Sequence, residues 1–265
     1  MDATDHSERG AGRVALVTGG GSGIGAEIGR WLARHGVAVV LADVDESAAR
    51  DVAAGIEDDG GDARGTFVDV TDESSVAGMV AAVEADYGRL DYLFANAGIS
   101  GPVELADTSY EDWQQVIDVN LNGVYLTVSE SAPLLVAGDD TAHVVVTASI
   151  SGRKPKPIMV PYRVSKAAAI MLTRCLAVHL GPDVKVNAIC PGRIETPLVE
   201  DLYERRVRAR DTTVEEIMKE EEQSPPLRRT PEYEDVMGVL DYLLFQDGFV
   251  TGHEFHLDGG DHQAL

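Results

Sequence analysis

Short apolar runs alternate with longer segments of helical period along almost the whole chain, and few folds accept that pattern. RVALVT (13–18), VAVVLAD (37–43), ARGTFVDV (63–70), LDYLFANAG (90–98), AHVVVTAS (142–149), VKVNAICPG (184–192) and HEFHLDGG (253–260) read as strands. Residues 24–35, 46–58, 72–87, 109–137, 161–180 and 231–246 carry spaced apolar side chains and read as helices. Continuous apolar strands are buried on both faces, and strand–helix–strand steps lay helices on both sides of a parallel sheet. The expectation is an α/β fold: a single doubly wound domain, a seven-stranded parallel sheet with helices on both faces, and right-handed crossovers.

The chain has 265 residues, 44% of them hydrophobic, enough for one large core. No repeat and no linker rich in Gly, Pro or Ser divides it. Residues 1–12 read as a flexible tail and 13–265 as one domain. Within that domain 198–230 is a charged insertion without a strand of its own, either one or two solvated helices or a lid on the substrate side.

A formal net charge of -23 argues against nucleic acid and anionic membranes as partners. No run approaches the roughly eighteen apolar residues of a membrane span. The first dozen residues lack the basic and apolar regions of a signal peptide, so a cytoplasmic location is expected. Cys175 and Cys190 are too few for a disulfide framework and read as buried, reduced thiols. The seven His show no ligand spacing, and His253 and His256 would face opposite sides of a strand, so no catalytic metal is expected.

TGGGSGIG (18–25) follows the first strand and opens a helix. Gly19, Gly23 and Gly25 there would permit a tight turn, close approach to a pyrophosphate and packing of the helix on the sheet. Asp43, twenty residues past Gly23 at the end of the second strand, completes a dinucleotide-binding signature. The plainer reading is a glycine-rich turn alone. Asp43 would accept hydrogen bonds from the adenine ribose and repel a 2′-phosphate, while Ser22 and Val44 carry no charge to receive one. The expected cofactor is NAD rather than NADP.

Tyr162 and Lys166 lie four apart at a helix start and share one face. An ammonium beside a phenol favours phenolate, so Lys166 is expected to pull the tyrosine pKa down for general acid–base work. Together TGGGSGIG, ANAG (95–98), DVNLNG (118–123), Ser149, YRVSK (162–166) and PGRIETP (191–197) resemble the short-chain dehydrogenase/reductase family, in its single-domain branch of Rossmann type. The resemblance runs from Arg13 to Gly260.

It implies Asn120, Ser149, Tyr162 and Lys166 as the catalytic set, with Ser149 holding the substrate oxygen and Asn120 binding a water that links Lys166 to solvent. It also implies that Gly19, Ser22, Gly23, Ile24 and Gly25, with Asp43, Asp69, Val70 and Asn96–Ala97–Gly98, bind the cofactor. Tyr162, Lys166, Pro191, Gly192, Ile194 and Thr196 complete that set. Family members commonly form tetramers, so a homotetramer or homodimer through 109–137, 161–180 and the last strand is expected.

The stretch Ser151–Lys166 contains Arg153, Lys154, Lys156, Arg163 and Lys166 and no acid. Arg153, Lys154 and Lys156 read either as exposed loop charges or, with Arg193, Arg205, Arg206, Arg208 and Arg210, as an attraction for an anionic substrate, and Arg163 is expected to face away from the pocket. Ser151, Arg153, Met159, Arg193, Leu198 and Leu202 are the candidate substrate contacts. The expected activity is hydride transfer between NAD and a secondary alcohol/ketone, partly polar or cyclic and potentially anionic. Its rivals are a catalytically silent dinucleotide-binding regulator, and NAD-assisted epimerisation or dehydration.

Overall fold

The computed structural model describes residues 9–138, 140–210, 212–246 and 248–261, with the side chains of 201, 208–210 and 220 excepted. Strands β1 (Val14–Thr18), β2 (Ala38–Asp43), β3 (Ala63–Phe67), β4 (Tyr92–Ala95), β5 (Ala142–Thr147), β6 (Val184–Pro191) and β7 (Glu254–Leu257) form one sheet. Their order is β3-β2-β1-β4-β5-β6-β7, and every neighbouring pair is parallel. This is the expected seven-stranded sheet.

Several strands stop earlier than their apolar runs. Val68–Val70, Asn96–Gly98, Ala148–Ser149 and Gly192 lie past the carboxyl ends of the strands, where they line the cleft described below.

Helices α1 (Gly23–Arg34), α2 (Glu46–Asp58) and α9 (Tyr233–Phe245) cover one face, packing Ile28, Leu32, Ile56 and Leu240 on Val17, Leu41 and Phe94. Helices α3 (Glu73–Tyr87), α5 (Gly123–Val136) and α6 (Val160–Leu180) cover the other, packing Val76, Val128, Leu135 and Leu176 on Leu16, Val40, Leu93 and Val144. Each interior strand residue is therefore buried from both sides, the reason its sequence is continuously apolar.

The segment 109–137, expected as one helix, is α4 (Tyr110–Ile117), a π-helical turn at Asp118–Asn122, and α5. The backbone at Ile117 and Asn122 keeps right-handed helical angles, and in such a turn only the hydrogen-bond register shifts. Apolar periodicity does not register that change. The 198–230 insertion is α7 (Pro197–Arg210) and α8 (Val214–Gln223), joined by a small core of Val199, Tyr203 and Ile217.

Two expectations are corrected. Residues 9–12 are docked rather than a flexible tail: Arg9 pairs with Asp241 at 2.7 Å and lies over the Phe245 ring, and Gly10 N–H donates to His35 O; residues 1–8 lie outside the described residues. Cys190 is buried, but Cys175 is exposed. It belongs to an outward stripe of α6 that also exposes Val164, Met171 and Val178, while Leu176 and Ala177 beside it turn to the sheet.

Candidate active site

From β1 the chain winds out to β3, then crosses back to β4 on the other side of β1, leaving a crevice at the carboxyl ends of these strands. Two turns open it. Gly19 and Gly23 have φ of 66° and 52°, in the left-handed region that favours glycine. A Cβ on Gly25 would lie 2.1 Å from Gly19 O, so the helix can approach the turn only without one.

Asn96 locks the arrangement. Its amide donates to Thr18 O (3.0 Å) and Gly19 O (3.2 Å), and its carbonyl accepts from Thr147 Oγ1 (3.0 Å), joining the ends of β1, β4 and β5.

The crevice is a cleft of about 540 Å3. Gly19, Ser22, Gly23, Ile24, Asp43, Asp69, Val70, Asn96, Ala97, Gly98, Ser149, Tyr162, Lys166, Pro191, Gly192, Ile194 and Thr196 all line it, as expected. Among the expected residues, Gly25 and Asn120 do not, and each acts from behind.

The lining fits a dinucleotide. The N-terminus of α1 opens into the cleft with neither a side-chain cap nor an acid in its first turn, so its N–H groups are available to phosphate. Asp43 accepts from Gly21 N–H at 2.9 Å and Asp45 N–H at 3.0 Å, which fixes its carboxylate while leaving acceptor capacity for a ribose. Thr147, Ala148, Val68 and Ile99 also line the cleft, and as residues at or just past strand ends they carry no sequence signal of it.

Helix α6 places Tyr162 and Lys166 on one face, with Lys166 Nζ 5.8 Å from the Tyr162 ring centroid. Lys166 is buried and donates to Thr147 O at 2.7 Å. The helix can bring it there because the short turn Ile150–Gly152 rests directly on α6: a Cβ on Gly152 would sit 2.7 Å from backbone atoms of Lys166 and Ala167. Ser149 begins that turn, accepting from Ser151 N–H at 3.1 Å, and its hydroxyl hydrogen-bonds Tyr162.

Asn120 is fully buried in the π-helical turn. Its side chain accepts from Ile99 N–H and donates to Ile99 O and to Ser165 Oγ, which in turn donates to Tyr162 O. These bonds tie the loop after β4 to α6.

The electrostatics differ from expectation. Burial pushes the Tyr162 phenol up, against a smaller lowering by the Ser149 hydrogen bond and Arg163. Burial likewise pulls Lys166 down to about 8. Desolvation, which disfavours both charged forms, outweighs the lysine–tyrosine attraction inferred from spacing.

Beyond Tyr162 a second chamber opens beneath α7 and α8. Ser151, Met159, Arg193, Leu198 and Leu202 line it, and so do Ile150 and Ile158. Met159 holds a left-handed backbone (φ 56°) at the N-terminus of α6, fixed by its N–H bond to Val103 O. The expected cations are mostly spoken for. Arg193 and Arg206 both pair with Glu221 of α8, and Lys154 pairs with Asp261 at 3.0 Å.

Arg153 is outside the chamber, paired at 2.6 Å with Glu254 of β7, which corrects its assignment as a substrate contact. Arg205 donates to Gly101 O; Arg208 and Arg210 lie outside the described side chains. Arg163, expected to face away, lines the chamber too and donates to Ile158 O and Lys154 O. Lys156 belongs to the same basic loop. It is exposed at the chamber wall, has no hydrogen-bond or ion-pair partner among the described residues, and is held below the usual lysine range by desolvation, Lys154 and Arg163.

A hydroxyl pair and a buried lysine at one end of a dinucleotide-sized cleft are equipped to move protons beside a redox group, and with the doubly wound sheet they define a nucleotide-binding oxidoreductase. The chain belongs to the short-chain dehydrogenase/reductase family, whose members act on alcohol and ketone groups. A family model described as enoyl-(acyl carrier protein) reductase matches residues 19–262.

The cis-4-hydroxycyclohexanecarboxylate dehydrogenase of Sinomonas cyclohexanicum is 37% identical over 253 residues, 94% of this chain and 96% of that protein. NAD+-bound xylitol dehydrogenase superposes with a TM-score of 0.89 at 31% identity, covering 96% of this chain and 100% of the other. A variant of actinorhodin polyketide ketoreductase with NADPH superposes with a TM-score of 0.87 at 29% identity, covering 97% and 99%.

Proposed function

We propose that the protein is an NAD-dependent dehydrogenase/ketoreductase that interconverts a secondary alcohol and its ketone. The observation that carries this reading is the joining of Ser149, Tyr162 and Lys166 at one end of a cleft whose other end presents Asp43. When bound, the nicotinamide supplies the hydride acceptor or donor. Ser149 holds the substrate oxygen, Tyr162 gives or takes its proton, and Lys166 stabilises the phenolate. The intact set supports turnover over a regulatory role. An initial test is NADH formation at 340 nm with secondary alcohols, with NAD+ and NADP+ in parallel.

Preference for NAD rests on Asp43, with exposed, uncharged Val44 beside it. Asp43→Ala is expected to lower kcat/KM for NAD+ by about tenfold to a hundredfold, the size of a charged hydrogen bond, while sparing or raising that for NADP+. A wild-type protein that prefers NADP+ would sink the assignment.

The substrate is partly apolar and carries an anionic group such as a carboxylate. Met159, Leu198 and Leu202 supply the apolar wall, and Lys156 supplies a cation with no ion-pair partner among the described residues. The name of the Sinomonas relative, a dehydrogenase of a hydroxycyclohexane carboxylate, agrees with that chemistry. Lys156→Ala is expected to raise KM for a carboxylated alcohol about tenfold and to leave that of its neutral analogue unchanged. Equal effects on both would remove the anion reading.

The protein also associates with itself. Val164, Met171 and Val178, spaced seven apart on α6, are exposed together, and α5 exposes Tyr125. Such faces mark interfaces between copies. Light scattering reporting a monomer would overturn this association.

A further inference from the structure

Cys190 Sγ, a carboxylate oxygen of Glu254 and a ring nitrogen of His256 lie within 4.8 Å of one another. The sheet brings them together. Cys190 and His256 are register partners on β6 and β7, and Glu254, two residues before His256, shares its face. Comparison of the two histidines of this strand misses the set, because the third ligand comes from the neighbouring strand.

Glu254 is the informative member. Its side chain is 9% exposed, and Oε1 accepts from Arg153 at 2.6 Å and Arg174 at 2.9 Å. Oε2 is buried with no hydrogen-bond partner among the described residues. An acceptor withheld from water costs free energy unless something binds it, and a carboxylate clamped on one oxygen while the other is open is the arrangement of an outer-shell-supported metal ligand.

We propose that Cys190 Sγ, Glu254 Oε2 and His256 form a binding site for a borderline-soft divalent cation of the Zn2+ class, with solvent in the fourth position. Binding replaces the thiol proton, which leaves to solvent, by a sulfur–metal bond. The thiolate brings a negative charge to the ion, and Glu254 bridges it to Arg153 and Arg174 by keeping Oε1 on the two guanidinium groups while Oε2 binds the metal. Tetrahedral ligands at zinc distances stand about 3.5 Å apart, so the three atoms close by roughly 1 Å on binding. Cys190 precedes Pro191–Gly192 in the cofactor cleft and sits against the Ser149 backbone, so the ion fastens the edge strand beneath the catalytic serine.

The test uses the full chain carrying Cys175→Ser, which removes the other thiol, and does not depend on turnover. Titration with Co2+ is expected to give one thiolate-to-cobalt charge-transfer band at one equivalent per chain, discharged by Zn2+, and Zn2+ is expected to raise the melting temperature. Cys190→Ala is expected to abolish the band and His256→Gln to weaken binding at least tenfold. No band with Co2+ in excess, or a band that both substitutions leave unchanged, overturns the site. If Cys190→Ala does not fold, the Cys175→Ser titration and His256→Gln still decide.

Discussion

Tyr162→Phe is expected to lower kcat for alcohol oxidation by about 10²- to 10⁴-fold, the usual contribution of a positioned general acid–base group. Dinucleotide affinity should change little. The substitution deletes one oxygen, while the ring keeps its packing against the cluster of Val103, Ile158 and Met159. Ser149 loses a partner but still accepts from Ser151 N–H, so the turn it begins is retained.

The pH dependence separates proton transfer from binding. Burial holds the phenol neutral at neutral pH, the form that reduction of a ketone uses as acid. Oxidation uses the phenolate, so its rate should climb with pH towards the raised tyrosine value, while reduction falls over the same range. Rates at 340 nm in both directions, with fluorescence titration of the dinucleotide, check this. Wild-type turnover in Tyr162→Phe would take the tyrosine out of the reaction.

What the sequence revealed was local. The glycine turn, Asp43 and the Tyr162–Lys166 pair are each fixed within one strand–turn–helix step or one helical turn, so spacing alone places them. The cations of 151–166 and 193–210 are a different matter, because their partners lie on other elements. Glu221 answers Arg193 from α8, and Glu254 answers Arg153 from the sheet edge. Counting basic residues suggested a broad anion-attracting surface; folding pairs Arg153, Lys154, Arg193 and Arg206 with acids and leaves Lys156 without an ion-pair partner among the described residues.

The tyrosine failed for a related reason. Spacing supplies the distance between two groups, whereas their pKa values follow from solvent access, which only the packed structure defines. The same limit hid Cys175, exposed although Leu176 and Ala177 beside it are buried, and the cation site, whose three ligands come from two strands in register.

Lys166→Met is expected to separate function from stability. Oxidation should fall by about 10²- to 10⁴-fold, because no ammonium then stabilises the phenolate. Stability should respond to pH in the opposite sense to a salt bridge. Burial depresses the folded lysine to about 8, against about 10.4 for an unfolded one. Below pH 8 both states are protonated, and the folded protein bears the full desolvation cost of a buried ammonium.

Between the two values the unfolded chain holds the extra proton, so wild-type stability rises with pH. Lys166→Met lacks that rise. Its stability relative to wild type should therefore be greatest below pH 8 and decline by on the order of 3 kcal/mol as pH climbs to about 10.4. Urea unfolding of both proteins across that range measures the difference directly. A pH-independent difference would mean that Lys166 is solvated in solution, and its role in holding the phenolate would then have to act across water rather than in the buried contact with Thr147 O.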